Sequence, residues 1–262
     1  LLVMIFASHV DVNEYMDVKV GEIVDRLDDE GIADNTLVVF IGDNGRCHLR
    51  GKCWLYDAGL KVPLIMRWPG IVKPGSKVEG LVSTLDISAT VLDAAGVGLP
   101  NYLDGQPLLG DRAKTRNHIF AARDLIDEVM DHIRCVRDSR YKYIRNYTPE
   151  NGYRECRYVY EHRAMWPTIQ KLHEQGELNE TQELLFLKVK PAEELYDLDN
   201  DPHEIRNLAG SLEHEQIKAR LSDLLDGWIA DTGDTGLRNL EHDRNHIIQE
   251  SRQKPVTAPT RP

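Results

Sequence analysis

Apolar and polar residues follow two rhythms along this chain. Over "VKVGEIVDRL" the apolar residues Val20, Ile23, Val24 and Leu27 recur at helical spacing, and Gly31 stands where a helix C-terminal cap belongs. "NTLVVFIG" is a continuous apolar run, which predicts a strand at Val38 to Ile41 buried on both faces of a largely parallel sheet. The opening "LLVMIFA" reads as another buried strand; it is too short to span a bilayer and has no basic residues before it. "VPLIMRWPG" is a further apolar run, stopped by Pro69-Gly70. "GLVSTLDISATVLDAAGV" predicts a strand edge leading into a helix, with Ser83 or Asp86 placed to cap it.

After "NYLDGQPLLGDRAKTR" the rhythm changes. From about His118 short strand-like runs carry many charges; in "IRCVRDSRYKYIRNY", Ile133, Cys135 and Val136, then Tyr141, Tyr143 and Ile144, predict two strands around the turn "RDSR". Pro167 to Glu183 is helix-prone with a break at Gly176. "AEELYDLDNDPHEIRNLAG" is a short strand and an Asp-Pro turn. Ile217, Leu221, Leu224, Leu225 and Trp228 line one face of a last amphipathic helix. The expected organisation is 1–115 as part of a catalytic α/β domain, 116–235 as a small α+β subdomain with antiparallel strands, and 236–262 as a polar tail.

Composition narrows the function. The 262 residues and 41% hydrophobic content suffice for a buried core, and 43 acidic against 32 basic side chains argue against nucleic acid or an anionic membrane as the main partner. Cys47, Cys53, Cys135 and Cys156 form neither a CxxC pair nor zinc-finger spacing.

The candidate chemistry lies in "VVFIGDNG". In an open α/β sheet, ligands gather at the carboxyl ends of strands, where Asp43 and Asn44 are expected. Their oxygens suit a hard cation such as calcium or magnesium, and Gly45 lets the chain turn away. Asn-Gly is equally a strong hairpin signal, so the tripeptide alone leaves both readings open. A lone lysine such as Lys52 is ordinarily a solvated surface residue.

The surrounding residues decide. "GIADNTLVVFIGDNG", "RGKCWLYDAGLKVPLIMRWPG", "PGSKVEGLVSTLDISATVLDAAG" and "LPNYLDG" resemble, in order and spacing, the second half of the catalytic domain of the sulfatases, which share the alkaline-phosphatase-like fold. The resemblance runs from about Tyr15 to Gly110 and continues more weakly through "RCVRDSRYKYIRNY" and "EELYDLDNDPHEIRNLA", most like the heparan N-sulfatase-related bacterial members. It implies an incomplete, mostly parallel sheet flanked by helices. It implies that Asp43 and Asn44 coordinate calcium, with magnesium an alternative, and that Lys52 binds the sulfate and supports charge on the leaving oxygen.

The family's nucleophile is a formylglycine made in a C-x-P-x-R-type motif. None of the four cysteines lies in one, so the resemblance points to a carboxyl-terminal portion whose nucleophile-bearing half is missing. Ala58-Gly59 stands where the family has a glycine pair. His9 has the form of a sulfate-contacting histidine after an upstream strand but is set aside, because its spacing to Asp43 is shorter than the family's; His48 could line the site, although an exposed loop histidine is the commoner case; Arg123 and Asp127 match a charged loop that either touches substrate or forms a structural ion pair. The implied activity is hydrolysis of a sulfate ester or sulfamate on a small molecule or glycan. A phosphate or phosphonate ester hydrolase, or a noncatalytic polyanionic-sugar binder, are the alternatives. The resemblance also implies an exported protein.

Overall fold

The computed structural model describes residues 2–126, 129–153 and 165–236, with backbone alone over 2–9. The expected polar tail and Asp127 therefore lie outside the described residues, apart from Gly236. The chain divides into two compact units, one of residues 1–43 and 62–117, the other of 44–61 and 118–262.

In the first unit, helix α1 spans Leu2–Asp29, and its apolar stripe ends as its spacing predicts. Gly31, at φ 68°, turns the chain out: its N–H donates to Asp28 O, and Ile32 N–H to Leu27 O. Residues 2–7 of "LLVMIFA" are the first part of this helix and not a strand. Their Leu, Met and Ala are good helix formers, and the periodic run that follows them lets one helix propagate through both.

β1 (Val38–Ile41) pairs with β2 (Leu64–Arg67) in a two-stranded antiparallel sheet, Val38 opposite Arg67 and Ile41 opposite Leu64. The expected parallel neighbours of β1 are not found among the described residues. The connection supplies the reason: a parallel return needs a crossover, usually a full helix, whereas residues 42–63 contain only the one-turn helix α2 (Asp57–Leu60). α3 (Leu85–Ala94) has Thr84 at its N-cap without a side-chain cap bond, and the expected Ser83 and Asp86 bond on either side of it. Asp86 accepts from Ser83 N–H at 2.8 Å while Ser83 Oγ accepts from Leu85 N–H at 3.3 Å. The buried Asp86 carboxylate also takes a forked pair of bonds from Arg116 and one from Gln106 N–H, tying the loop after α3 to its first turn.

The second unit is built on a four-stranded antiparallel sheet in sequential order: β3 (Ile119–Ile126), β4 (Val129–Arg137), β5 (Tyr141–Asn146) and β6 (Glu193–Asp197). β4 and β5 turn at "RDSR" as the alternation predicts, where Asp138 Oδ1 accepts from the N–H groups of Arg140 and Tyr141. The helix-prone stretch gives α4 (Trp166–Glu174) and, past Gly176 at φ 69°, α5 (Glu180–Glu183), which opens on an Asn179/Gln182 capping box. α6 (Glu215–Thr232) ends on Gly233 in the left-handed region.

Both faces of this sheet are covered, each by a different partner. Val136, Tyr143 and Leu195 pack with Leu221 and Leu225 of α6, joined by Ile217, Leu224 and Trp228. Ile133, Cys135, Ile144 and Tyr196, pointing to the opposite face by strand alternation, pack with Trp54, Leu55 and Tyr56 from segment 44–61. No helix among the described residues is long and apolar enough to cross a membrane.

Candidate functional site

Segment 44–61, which carries Asn44 and Lys52, is closed on itself by backbone contacts at three glycines. Gly45 N–H donates to Gly59 O at 3.0 Å and Arg46 N–H to Ala58 O at 2.9 Å. A Cβ at Gly45 would lie 2.2 Å from Ala58 O; one at Gly51, 2.0 Å from Arg46 O; one at Gly59, 2.2 Å from Trp54 O and 2.3 Å from Gly51 O. Those distances are far inside van der Waals contact, so each position admits only glycine without backbone movement. Gly45 thus serves close approach between strands of the loop, and "DNG" is not a two-residue hairpin turn, since β1 and β2 are joined by all of residues 42–63. Ala58 sits in α2 without positive φ, which is why a side chain is tolerated there.

Between the glycines the backbone is tightly wound. His48 and Lys52 N–H both donate to Arg46 O, at 2.8 and 2.7 Å, and Trp54 N–H donates to Gly51 O at 2.9 Å. Arg50 and Cys53 adopt φ of 56° and 80°, left-handed values unfavourable for residues with a side chain.

Buried charges hold this segment against the sheet. Lys142 Nζ, fully enclosed, contacts Asp57 Oδ1 at 2.6 Å and Glu204 Oε1 at 2.7 Å, and donates to Leu55 O at 3.1 Å. Arg137 Nη1 donates to Asp57 Oδ2 at 2.6 Å, and Glu204 Oε2 accepts from Asp57 N–H at 2.6 Å. Burial opposes the Asp57 charge, but Lys142 and Arg137 outweigh it and hold the carboxyl below its usual range. For Glu204 burial dominates and pushes the carboxyl up, despite Lys142.

Arg50 stacks over the Tyr56 ring at 4.0 Å and donates to Glu204 O at 2.8 Å. The Tyr56 hydroxyl donates to Glu194 Oε2 at 2.8 Å, and Tyr196 and Asn146 donate to the same carboxylate. Burial, then Glu194, pushes the Tyr56 hydroxyl far up, so it remains a neutral donor.

The candidate residues are placed as follows. Asp43 is exposed and lies two residues past the end of β1, at the close of the first unit's opening segment; Asn44 begins the second unit. Lys52 and His48 are half-buried in the same wound segment as Asn44. His9 lies on α1, in the part where only the backbone is described. Arg123, matched above to a substrate-facing loop or an ion pair, has a side chain only 2% exposed. It is stacked on Trp54 and bonded to Cys53 O, a structural position. Burial pushes the Cys135 thiol up to about 11, which makes it a poor nucleophile.

As a cation site, Asp43 and Asn44 fit the chemistry of a hard divalent ion but offer only part of a shell of about six to eight oxygens. Among the described residues no three His, Cys, Asp or Glu side chains converge elsewhere on a metal-sized site.

The sequence reading missed the anchoring network. One signal was present: in "YKYIRN", Lys142 shares its face with Ile144 and Asn146, a core face where a lysine requires an acidic partner. Nothing local identified Asp57 and Glu204 as those partners.

Comparison with known proteins bears on these residues. Residues 5–97 match the Sulfatase family model. An ulvan-active sulfatase of Formosa agariphila is 39% identical over 250 residues, covering 93% of this chain and 41% of that protein. Human N-sulphoglucosamine sulphohydrolase is 29% identical over 241 residues, 84% of this chain and 46% of the relative. Among solved structures, a 2-O GAG sulfatase superposes with a TM-score of 0.55 at 26% identity, over 77% of this chain and 37% of its own. The chain therefore spans less than half the length of these relatives. Its fold is that part of the alkaline-phosphatase-like sulfatase fold, and over residues 5–97 the chain keeps part of the sulfatase domain.

Proposed function

We propose that this chain supplies part of the active site of a hydrolase that releases sulfate from a sulfated glycan. What carries the reading is a single coincidence. The segment with Asn44, Gly45 and the family's "RGK" residues, which Asp43 directly precedes in the chain, is also the segment that close glycine contacts and buried charges hold in place. Rigid placement of charge is what stabilisation of a developing oxyanion requires. The glycan is inferred from relatives named as active on ulvan and on a glycosaminoglycan.

In this reading Lys52 places its ammonium on the sulfate and on the bridging oxygen or nitrogen as that atom takes up charge. Asn44, fixed in the same wound segment, and Asp43 beside it would hold a divalent ion of the calcium type. When bound, such an ion balances negative charge on the sulfate. The nucleophile, a formylglycine, belongs to a part of the parent protein other than this chain. Arg46, Gly45 and Gly59 fix the backbone from which Asn44 and Lys52 project, so that neither must reorganise during the reaction.

The test uses the full-length protein, with sulfate release from ulvan and from glycosaminoglycan oligosaccharides measured beside bound metal. Lys52→Ala should lower kcat about 100-fold or more with metal content unchanged. Asp43→Ala should lose metal and activity together. Unaltered turnover in both variants overturns the reading.

A further inference from the structure

Lys52 lies between two residues held in an unfavourable conformation. Arg50 and Cys53 both have positive φ, and such residues persist only where the surroundings over-determine them. At Cys53 the constraint is visible. Arg123, from β3, donates from Nη1 to Cys53 O at 2.9 Å while its guanidinium lies 4.4 Å from the centre of the Trp54 ring. Its Nη2 stands 3.4 Å from Asp131 Oδ2, and Asp131 in turn is gripped by Lys190 Nζ at 2.7 Å through both oxygens. All three charged side chains are at most 2% exposed. A line of buried charges thus ends on the carbonyl of the residue that follows Lys52.

We propose that Arg123 is a positioning residue for Lys52: by clamping Cys53 O and stacking on Trp54, it keeps the Cys53 turn left-handed and so aims the Lys52 stem. The inference rests on the role given to Lys52 above. Lysine is a point charge on a flexible four-carbon stem, so its reach is set mainly by the direction of its Cα–Cβ bond. That direction is fixed by two backbone bonds, Lys52 N–H to Arg46 O on one side and Trp54 N–H to Gly51 O on the other. The second survives only while the Cys53 peptide keeps its orientation. Arg123 is enclosed, so it acts through the backbone and not on substrate.

The experiment compares Arg123→Met, Arg123→Lys, Cys53→Gly and Lys52→Ala, singly and combined, in the full-length protein, with release of sulfate from a sulfated oligosaccharide as the reaction. Arg123→Met should lower kcat about 10- to 100-fold, the loss associated with misplacement on the scale of an ångström. The same substitution should cost nothing further in a Lys52→Ala background. Adding Cys53→Gly should restore part of the loss, because glycine adopts positive φ without a clamp. An equal loss with and without Lys52, or no rescue by glycine, shows an ordinary core arginine and overturns the inference. Impaired Lys52→Ala beside unaffected Arg123→Met overturns it alone, whereas full activity of Lys52→Ala overturns the Lys52 role and this inference with it.

Should Arg123→Met not fold, Arg123→Lys with amide hydrogen exchange decides. The Lys52 and Trp54 amides should exchange faster while those of Tyr143 and Leu195 keep their rates. Equal acceleration at all four overturns the clamp.

Discussion

The two units solve the problem of burial differently. In the second, the sheet is sandwiched: α6 covers one face, segment 44–61 the other, and Val136, Tyr143, Leu195, Leu221 and Leu225 are fully buried. In the first, the two-stranded sheet leaves Ile65 exposed at 62%, α1 leaves Val18 and Ile23 exposed, and α3 leaves Leu85 and Val91 exposed. What is buried there is mostly small or polar, Ala33, Ala89, Thr90 and Asp86, with Leu108 as a large apolar exception. A two-stranded sheet is marginal on its own; in the first unit the Asp86–Arg116 pair ties α3 to the loop after it, whereas the second unit has a true core. The lesson concerns the candidate site. Lys52 and Asn44 belong to the well-packed unit although their sequence neighbours on both sides belong to the other.

Removing Lys142 should break that contrast most severely. Lys142→Met leaves Asp57 and Glu204 buried beside each other with less compensation, and loss of one partner of a buried pair costs about 3–5 kcal/mol. Denaturant unfolding followed by tryptophan fluorescence, which reports Trp54, Trp166 and Trp228 of the second unit together with Trp68 of the first, measures it. A change below 1 kcal/mol would show that the second unit does not rely on its buried charges.

Leu221→Ala should cost about 2–5 kcal/mol by the same measurement, whereas Ile65→Ser on the exposed face of β2 should stay within about 0.5 kcal/mol. Comparable losses would erase the distinction between the units.

Acid should act on both units, and one depressed carboxylate in each, Asp57 in the second and Asp86 in the first, isolates part of the effect. Burial opposes the charged form of Asp57 and of Asp86, but Lys142 with Arg137, and Arg116 with the Ser83 and Gln106 amides, hold both carboxyls below their usual range. A depressed carboxyl stabilises fully above its unfolded value, near 4, and loses that contribution as pH falls through the folded value. Asp57→Asn and Asp86→Asn should therefore flatten the fall in melting temperature below about pH 4, each in its own unit. Glu204, pushed up by burial, has the opposite sign: its neutral form favours the fold as pH falls, and Glu204→Gln should steepen the loss. Hydrogen exchange resolved by residue separates the units.

A small effect is also expected at Ala58. Ala58→Gly restores the family's glycine pair in a helical position that does not need one, at a cost of about 1 kcal/mol or less. A stabilised protein would show that the alanine is strained.

Sequence alone determined the elements whose cause is local. The period of Val20 to Leu27, the Gly31 exit, the Ser83/Asp86 start of α3, the "RDSR" turn and the Leu221/Leu225 face of α6 all follow from side chains within a turn or two of one another. So did the motifs that mark the family. What is not local was decided by tertiary structure. The apolar opening is a separate case: a short apolar run fits either element, and the helical run that follows it in the chain settled which. β1 took an antiparallel partner because of how the chain returns after residues 42–63. The wound loop around Lys52 depends on backbone contacts between Gly45 and Gly59 and on Asp57, Lys142, Glu204 and Arg123, groups far apart in sequence that one sheet face brings together. Period and propensity describe one residue's near neighbours, and a buried charge is specified by its partner, which only the folded chain supplies.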